Sequence, residues 1–271
     1  MKNYFVVLGA QDPEMNSTEL LLKIHNIPYQ YATINGWRCH PGNAYRADPV
    51  KVPKGKRLVL VECEPANHLD FPDLVRVDHH RPGIDKTAEF GPEKYLEASS
   101  IGQVCSLLKA NVTNEVRIIA SSDHCFASAV QGLCPRIQPG DVVAFRVNEI
   151  CSSYSLSKNQ IDILLNKFFR IVELAKIKIV GKQEVLDLRR FCFNHGYTKE
   201  LLILQTVLAK EGKAALIHFS HYERGVQRVV LTGYAYPETV QAFMIWAKKK
   251  GHVEIFGVPE RNYAGAIYPI C

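Results

Sequence analysis

The sequence lacks the long apolar runs of membrane proteins, and its first residues do not have the pattern expected of a secretory signal. No apolar stretch approaches the roughly 20 residues that a membrane-spanning helix requires. The apolar part of the first ten residues is short, and no small-residue cleavage site follows it, unlike a secretory signal. Residues Tyr4–Ala10 fit a first strand instead. We therefore expect a cytoplasmic protein with no membrane partner.

Closely paired cysteines are also absent. Eight cysteines are scattered through the chain, and none forms a Cys-x-x-Cys pair. A chain of 271 residues can bury enough apolar surface to fold without disulfides. We expect reduced thiols and no dedicated zinc site, because structural zinc sites use closely spaced cysteines and histidines.

The chain has no strong excess of charge of one sign. Its formal net charge is +6, with 22% of residues charged and 47% hydrophobic, which is ordinary for a globular protein. Small basic clusters in such a chain are usually solvated faces. The mild positive balance is compatible with a phosphate-bearing substrate and does not by itself indicate nucleic acid.

The first half of the chain alternates between predicted strands and helices. Near-continuous apolar runs, typical of strands buried on both faces of a parallel sheet, lie at Tyr4–Ala10, Leu58–Val61 and Leu74–Val77. A capping-box pattern at Asn16–Glu19 predicts one helix, a second is predicted to begin at Ser99–Ser100, and a further helix covers Thr113–Ser122. This order predicts a right-handed parallel α/β sheet.

The second half of the chain has a different pattern of predicted elements. Ser157–Gln160 is a capping-box pattern that opens a long amphipathic stretch, which we interpret as a helical connector. Alternating strands and helices then predict a small α+β module. The predicted organisation is an α/β domain over residues 1–150, a helical connector over 151–195, and a smaller α+β domain over 196–271.

The most informative motif is the triplet Asp78-His79-His80, which follows the predicted strand Leu74–Val77. Carboxylate and imidazole are the ligand types that suit a hydrolytic divalent ion such as Mn²⁺, and a neighbouring imidazole can bind an anion. The triplet therefore predicts a metal and phosphate site at this strand end. It is also compatible with a polar turn completed by Arg81-Pro82-Gly83.

Other carboxylates occupy similar positions. Asp12 and Glu14 fall in the predicted loop after the first strand, Glu62 follows the second strand, and Asp123 and His124 follow a predicted helix. In an open α/β sheet, ligands bind beyond the carboxyl ends of the strands. Such a set could hold two divalent ions about 3.5–4 Å apart for in-line attack on phosphorus.

Each of these residues also has a purely structural interpretation. Asp12 and Glu14 could serve only as acidic residues at a helix N-terminus, and Asp123-His124 only as a helix-end cap. Glu62 competes with Glu64, which lies two residues further and on the same side of an extended chain.

In order and spacing, these motifs resemble the DHH phosphoesterase family. That family includes family II inorganic pyrophosphatases, single-strand exonucleases, short-oligonucleotide ribonucleases and cyclic-dinucleotide phosphodiesterases. Asp12-Pro13-Glu14 falls where the family has its Asp-x-Asp pair, Glu62 where it has a single Asp, and Asp123 where it has its last Asp. The helix start at Ser99–Ser100 resembles the small-residue helix that follows the triplet. The resemblance covers about residues 1–150 and implies one or two Mn²⁺ or Mg²⁺ ions.

The chain departs from the family pattern at several positions. Leu8 replaces the first-motif histidine and cannot bind a metal, and His124 could supply an imidazole in its place. Glu14 and Glu62 are one methylene longer than the aspartates they replace. Near the C-terminus, the segment Arg261–Ala266 keeps small residues but lacks the Gly-Gly-Gly-His loop of the family's substrate-binding domain.

Together, the motifs and the resemblance predict a metal-dependent phosphoesterase. The metal ligands would be Asp12, Glu14, Glu62, His79 and Asp123, with Asp78 and His80 as further catalytic groups. The substrate-binding residues would be His124, Arg261, Asn262 and Gly265. The substrate would be a small phosphorylated molecule or a short oligonucleotide, and a homodimer is compatible with the sequence. The alternative is a protein that kept the fold, lost catalysis, and binds a nucleotide as a sensor.

Overall fold

The computed structural model describes residues 3–80, 86–194, 198–221 and 226–269. The chain divides into two compact units. The first contains Met1–Phe90 and Lys94–His124, and the second contains Gly91–Glu93 and Cys125–Cys271. The predicted turn at residues 81–83 lies outside the described residues.

The first unit is built on a four-stranded parallel sheet. Its strands are β1 (Tyr4–Leu8), β2 (Tyr29–Tyr31), β5 (Arg57–Val61) and β6 (Val75–Val77), in the order β2-β1-β5-β6. A two-stranded hairpin, β3 (Thr33–Ile34) and β4 (Trp37–Arg38), follows β2. The helices are α1 (Pro13–Ile24), α2 (Tyr95–Ala98), α3 (Ser100–Leu108) and α4 (Asn114–His124).

Both faces of this sheet are buried, which confirms the interpretation of the apolar runs. Alternate residues of a strand point to opposite faces. Phe5, Val7, Leu58 and Leu60 belong to one core cluster, and Val6, Leu8, Val59 and Val61 belong to another. The carboxyl ends of all four strands therefore meet at one edge, with apolar packing beneath them.

Helix α1 begins four residues earlier than the capping pattern at Asn16 predicts. Asp12 is the N-cap, and its Oδ1 accepts a hydrogen bond of 2.7 Å from the Met15 N–H. Pro13 occupies the first helical position, where its missing N–H has no cost. The predicted loop placement of Glu14 is therefore wrong, because Glu14 lies in the first turn of the helix.

The second unit contains a six-stranded mixed sheet. Its helices are α5 (Phe126–Val130), α6 (Pro139–Tyr154), α7 (Lys158–Glu173), α8 (Lys199–Lys210) and α9 (Pro237–Lys249). Its strands are β7 (Lys176–Val180), β8 (Gln183–Asn194), β9 (Ala214–His221), β10 (Val226–Gly233), β11 (Glu254–Val258) and β12 (Tyr263–Pro269). The order is β11-β12-β10-β9-β8-β7, and β8 and β9 run parallel. The predicted fold class, a parallel α/β sheet accompanied by a separate α+β region, is confirmed.

The region predicted as a helical connector is helical only in its first part. The capping box at Ser157 and the amphipathic helix α7 are present, but residues 176–194 form strands β7 and β8. The alternation Lys-Ile-Lys-Ile-Val in β7 has the two-residue period of a strand, which the connector interpretation overlooked. Position 150, predicted as a domain boundary, lies inside α6. Ile150 packs in one core with Ile161 of α7 and Leu204 of α8, so the chain continues without a boundary at this position.

The described residues bear on two expectations, the state of the cysteines and the absence of membrane-spanning segments. Six cysteines are free thiols there: Cys39, Cys63, Cys105, Cys125, Cys134 and Cys151. Within the same part of the chain, every helix is too short or too polar to cross a membrane.

Candidate metal centre

Four side chains of the first unit converge at the carboxyl edge of the parallel sheet. They are Glu62, His79, His80 and Asp123. One ligand atom from each lies within 4.8 Å of the others, a spacing that could hold a metal ion. Glu62 follows β5, the two histidines follow the neighbouring strand β6, and Asp123 lies in the last turn of α4. Adjacent parallel strands end at the same edge, which is why residues distant in sequence meet here.

The distances within the cluster are short. His79 Nε2 lies 2.8 Å from Asp123 Oδ2 and 3.5 Å from Glu62 Oε1, and His80 Nε2 lies 3.2 Å from Glu62 Oε2. The two imidazole rings meet edge to face, with centroids 4.2 Å apart. The His79 side chain is fully buried, whereas those of His80 and Asp123 are 46% and 33% exposed. The cluster is therefore anchored on its inner side and open to solvent on its outer side.

Glu62 is held in an unusual backbone conformation. Its φ is +51°, in the left-handed region that non-glycine residues rarely adopt. The Glu62 N–H donates to the Val77 carbonyl at 3.0 Å, and the preceding carbonyl of Val61 accepts from the Gly9 N–H at 2.8 Å. A Cβ added to Gly9 would lie 2.4 Å from the Glu62 carbonyl oxygen, so this position needs glycine. Backbone strain of this kind occurs often at functional sites.

The N-terminus of α3 orients two of the carboxylates. Ser100 Oγ donates to Glu62 Oε1 at 2.7 Å, and the Ile101 N–H donates to Glu14 Oε1 at 3.0 Å. The α3 dipole favours negative charge at this end. Glu14 is 2% exposed, and its Oε2 is buried without a hydrogen-bond partner among the described residues. An oxygen in this position is suited to a metal ion or to a bound water.

Electrostatics link Asp12 and Glu14 to the cluster. Burial, with added repulsion from Asp123 and Glu62, raises the pKa of Asp12 to about 7. The same three causes raise the pKa of Glu14 well above 4.5. Burial also acts to raise the pKa of Glu62, but the charges of His80 and His79 outweigh it and lower that pKa to about 2. Four carboxylates thus crowd one region, and a cation there would relieve their repulsion.

The donor set fits a divalent ion. It combines carboxylate oxygens with imidazole nitrogens, and it has no thiolate, a combination that suits Mn²⁺ and, with more oxygen ligands, Mg²⁺. The buried, unsatisfied oxygen of Glu14 and the mutual repulsion of the carboxylates point the same way. The residues present therefore fit the metal that the sequence predicts.

Asp78 and His124 lie beside the four-residue cluster. Asp78 Oδ1 accepts a hydrogen bond of 2.7 Å from the His80 N–H, which fixes the turn that carries His80. Burial raises the pKa of Asp78. His124 Nε2 donates to the Phe90 carbonyl at 2.8 Å, and its ring lies 5.5 Å from that of His79. Its imidazole is thus anchored to the main chain at Nε2, and a role for His124 in substrate binding stays a prediction.

The remaining candidates belong to the second unit. Asn262 has a left-handed φ of +60° and is buried. Its Nδ2 donates to the Ala235 carbonyl at 2.6 Å, and its Oδ1 accepts from Ser128 Oγ. Gly265 lies in β12 against the Phe256 ring, which a Cβ would approach to 2.4 Å. The structure gives both residues a packing role in this unit, and substrate binding by Arg261, Asn262 and Gly265 stays a prediction.

Sequence reasoning missed the groups that position the ligands. Ser100 and the Ile101 N–H were recognised only as part of a helix start, although both donate to carboxylates of the site. A helix that begins with small polar residues after a run of metal-type ligands is the signal that could have identified them. The Leu8 side chain, at the position where the family that the sequence resembles has a histidine, is fully buried in the core.

The chain was compared with known proteins at the levels of family, sequence and structure. No family model matches it, and no curated protein matches its sequence. A pGpG-specific phosphodiesterase, PggH from Vibrio cholerae, is structurally similar, with 12% identity, a TM-score of 0.41, and coverage of 98% of this chain and 94% of that one. A putative family II inorganic pyrophosphatase from Methanococcus jannaschii has 13% identity, a TM-score of 0.24, and coverage of 98% and 85%. At these values the functional argument rests on the site itself.

Proposed function

We propose that the protein is a phosphoesterase that depends on a divalent metal. It would hydrolyse a phosphodiester or phosphomonoester of a small nucleotide-type substrate by means of metal-activated water. The observation that carries the proposal is the convergence of Glu62, His79, His80 and Asp123, with ligand atoms within 4.8 Å of one another at the carboxyl edge of a parallel sheet.

The acidic and imidazole side chains would have different roles in binding metal. Glu62, His79 and Asp123 would hold one ion, and Asp12 and Glu14, electrostatically coupled to them, would hold a second or complete the first. A bound divalent ion lowers the pKa of its water toward ~7 and offsets the charge of a phosphate.

The surrounding residues would keep this arrangement fixed. Ser100 Oγ and the Ile101 N–H hold the Glu62 and Glu14 carboxylates in place before substrate arrives. His80 is the more exposed imidazole, and Asp78 fixes its backbone, so His80 is the group best placed to bind a phosphate oxygen from the solvent side. Because a bound metal would supply the activated water that attacks phosphorus, the proposal requires no serine or cysteine nucleophile.

The test is hydrolysis of a short dinucleotide in Mn²⁺, in Mg²⁺ and in excess chelator, by the parent and by Asp123→Ala. We expect turnover by the parent with metal, and a loss of at least about 100-fold with chelator or in the variant. His68→Gln is the matched control, because His68 lies in the same unit and pairs with Glu64 at 3.4 Å, not with the cluster. Nucleotide binding that does not require metal and leads to no turnover would instead support the sensor alternative, which the buried Leu8 favours.

A further inference from the structure

We propose that the hairpin β3–β4 is a nucleobase-stacking platform for the substrate. Trp37 would stack on the base, and Arg38, which leaves the opposite face of β4, would tie the hairpin to the segment before Asp12. This inference rests on the proposed function, and it specifies the substrate as an ester that carries an aromatic base.

The hairpin rises from the same sheet edge as the metal centre. Strand β2 runs parallel to β1, so its carboxyl end lies at the edge where Asp12, Glu62 and the histidines follow their strands. The Ala32 N–H donates to the Leu8 carbonyl at 2.7 Å, and the Cys39 N–H donates to the Ala32 carbonyl at 2.9 Å. The hairpin therefore begins and ends at this edge.

The strands that lead into the hairpin and into Glu62 are separated by a span that one nucleotide could cover. Only β1 separates β2 from β5, the strand that carries Glu62 at its end. Two inter-strand spacings amount to about 10 Å. A nucleotide whose phosphate lies at the metal centre could therefore place its base against the hairpin.

The platform is held rigidly. Asn35 and Gly36 both have positive φ, at 52° and 77°, as in the tight two-residue turn typical of hairpins. Asp48 Oδ2 accepts from the Gly36 N–H at 3.2 Å and from Thr33 Oγ1 at 3.3 Å, and the Asp48 N–H donates to the Thr33 carbonyl at 2.7 Å. An isolated two-stranded hairpin is marginally stable, so these anchors hold the backbone that carries Trp37 in place.

The exposed side chains of the hairpin have the chemistry of a nucleotide site. Trp37 is 81% exposed, although it is the largest apolar side chain of this segment. The Arg38 guanidinium lies 3.1 Å from the centroid of the Tyr31 ring and donates through Nη1 to Gln11 Oε1 at 2.8 Å. Gln11 precedes Asp12, the N-cap of α1, so Arg38 is tied to the segment that carries a candidate metal ligand.

Base stacking on such a platform would be tolerant of base identity. Every base has a π face, and stacking on an aromatic side chain combined with a nearby arginine is the usual mode of sequence-independent nucleotide binding. The platform would therefore separate nucleotides from phosphoesters without a base, and it would not separate purines strongly from pyrimidines.

Fluorescence tests the platform independently of catalysis. The chain has two tryptophans, so Trp246→Phe leaves Trp37 as the sole indole emitter. We expect a dinucleotide to quench the Trp37 emission of this variant in chelator, whereas ribose 5-phosphate at the same concentration leaves it unchanged. An equal response to both compounds, or to neither, would overturn the proposal. Circular dichroism checks that the variant is folded.

Kinetics provide the second test. Trp37→Ala should raise KM for a dinucleotide roughly 5- to 100-fold, the range found when a stacking aromatic is removed, and Trp37→Phe should keep most of the affinity. Hydrolysis of a phosphoester without a base should be unchanged in both. Leu69→Ala is the matched control, because Leu69 is 82% exposed in the same unit.

The two proposals fail in different ways. If dinucleotides are hydrolysed and Trp37→Ala has the KM of the parent, the platform is refuted and the phosphoesterase stands. If no substrate is hydrolysed but dinucleotides quench Trp37 selectively, the phosphoesterase fails and the platform stands as a nucleotide-binding site. Binding of vesicles or proteins, but not of nucleotides, through Trp37 would also refute the platform.

Discussion

His79 Nε2 lies 2.8 Å from Asp123 Oδ2, and this contact joins the second residue after β6 to the last turn of α4. The imidazole is fully buried while the carboxylate is partly exposed. The pair therefore connects the core of the first unit to its solvent-facing edge. Loss of either partner would leave the other in a region already crowded with carboxylates.

The two adjacent histidines should respond differently to substitution. His79→Gln should lower Mn²⁺ affinity at least about 10-fold and reduce the stability of the protein, because its ring is buried within the cluster. His80→Gln should leave stability nearly unchanged while it impairs turnover, since His80 is 46% exposed. Titration calorimetry with Mn²⁺, urea denaturation and a dinucleotide hydrolysis assay measure the affinity, the stability and the turnover, with His68→Gln as the control. Equal effects of both substitutions would contradict the assigned roles.

Glu14→Gln should stabilise the metal-free protein and weaken its response to metal. The buried carboxylate has a pKa raised above 4.5, so its contribution to stability is present below pH 4.5 and is lost as pH rises through the higher folded value. The amide keeps an acceptor for the Ile101 N–H and removes the repulsion from Asp123 and Glu62.

Urea denaturation in chelator at pH 8 measures this gain, which we expect to be at least about 1 kcal/mol and to shrink as pH falls toward 4.5. Addition of Mn²⁺ should then stabilise the variant less than the parent, because metal binding stabilises only the folded form. A variant that is less stable than the parent in chelator would contradict the account of Glu14.

Gly9→Ala should disrupt the site through the backbone. The new Cβ would lie 2.4 Å from the Glu62 carbonyl oxygen. The backbone at Gly9 and the backbone at Glu62 would have to move apart, which would displace Glu62 from its left-handed conformation. We expect a loss of about 1–3 kcal/mol in unfolding free energy together with weaker Mn²⁺ binding. Gly140→Ala is the control, because open space surrounds that position in α6, and it should be neutral or slightly stabilising. Unchanged Mn²⁺ affinity in Gly9→Ala would contradict the role of this contact.

Protonation of Glu19 should lower the stability of the first unit at low pH. Its carboxylate accepts hydrogen bonds from the Tyr29 hydroxyl at 2.6 Å and the Tyr31 hydroxyl at 2.9 Å, and it pairs with Lys23. The Tyr29 hydrogen bond and then Lys23 lower the pKa of Glu19 from 4.5 to about 2. A lowered pKa contributes stability that is present above pH 4.5 and is lost as pH falls toward 2.

Glu19→Gln should therefore show a weaker decline in stability between pH 4.5 and pH 2 than the parent does. Urea denaturation across this range measures the difference. Glu97→Gln is the control, since Glu97 is exposed on α2. A decline of equal slope in the parent and in Glu19→Gln would show that the tyrosine contacts do not stabilise the charged form.

The sequence predicted the long elements better than the short ones. The strands β1 and β5 follow from uninterrupted apolar runs, whereas β2, β3 and β4 are only two or three residues long and leave no periodic signal. The start of α1 was misplaced because two capping patterns compete, and the pair Asp12-Pro13 outweighs the capping box at Asn16.

The site was predictable where it depends on strand ends. Glu62, His79 and His80 meet because neighbouring parallel strands end at one edge, and this rule needs only strand positions. The contacts of Ser100 and of the Ile101 N–H were not predictable, because they depend on how α3 packs against the sheet edge. The exposure of Trp37 likewise depends on the anchoring of the hairpin by Asp48, a residue that no sequence motif singles out.

Metal content tests the central claim most directly. Protein loaded with Mn²⁺, freed of excess ion and checked for folding by circular dichroism would be measured by elemental analysis, alongside a His79→Ala, Asp123→Ala double variant. The account predicts one or two Mn²⁺ ions per chain in the parent and none in the folded double variant. A parent that retains no more Mn²⁺ than the double variant would contradict it.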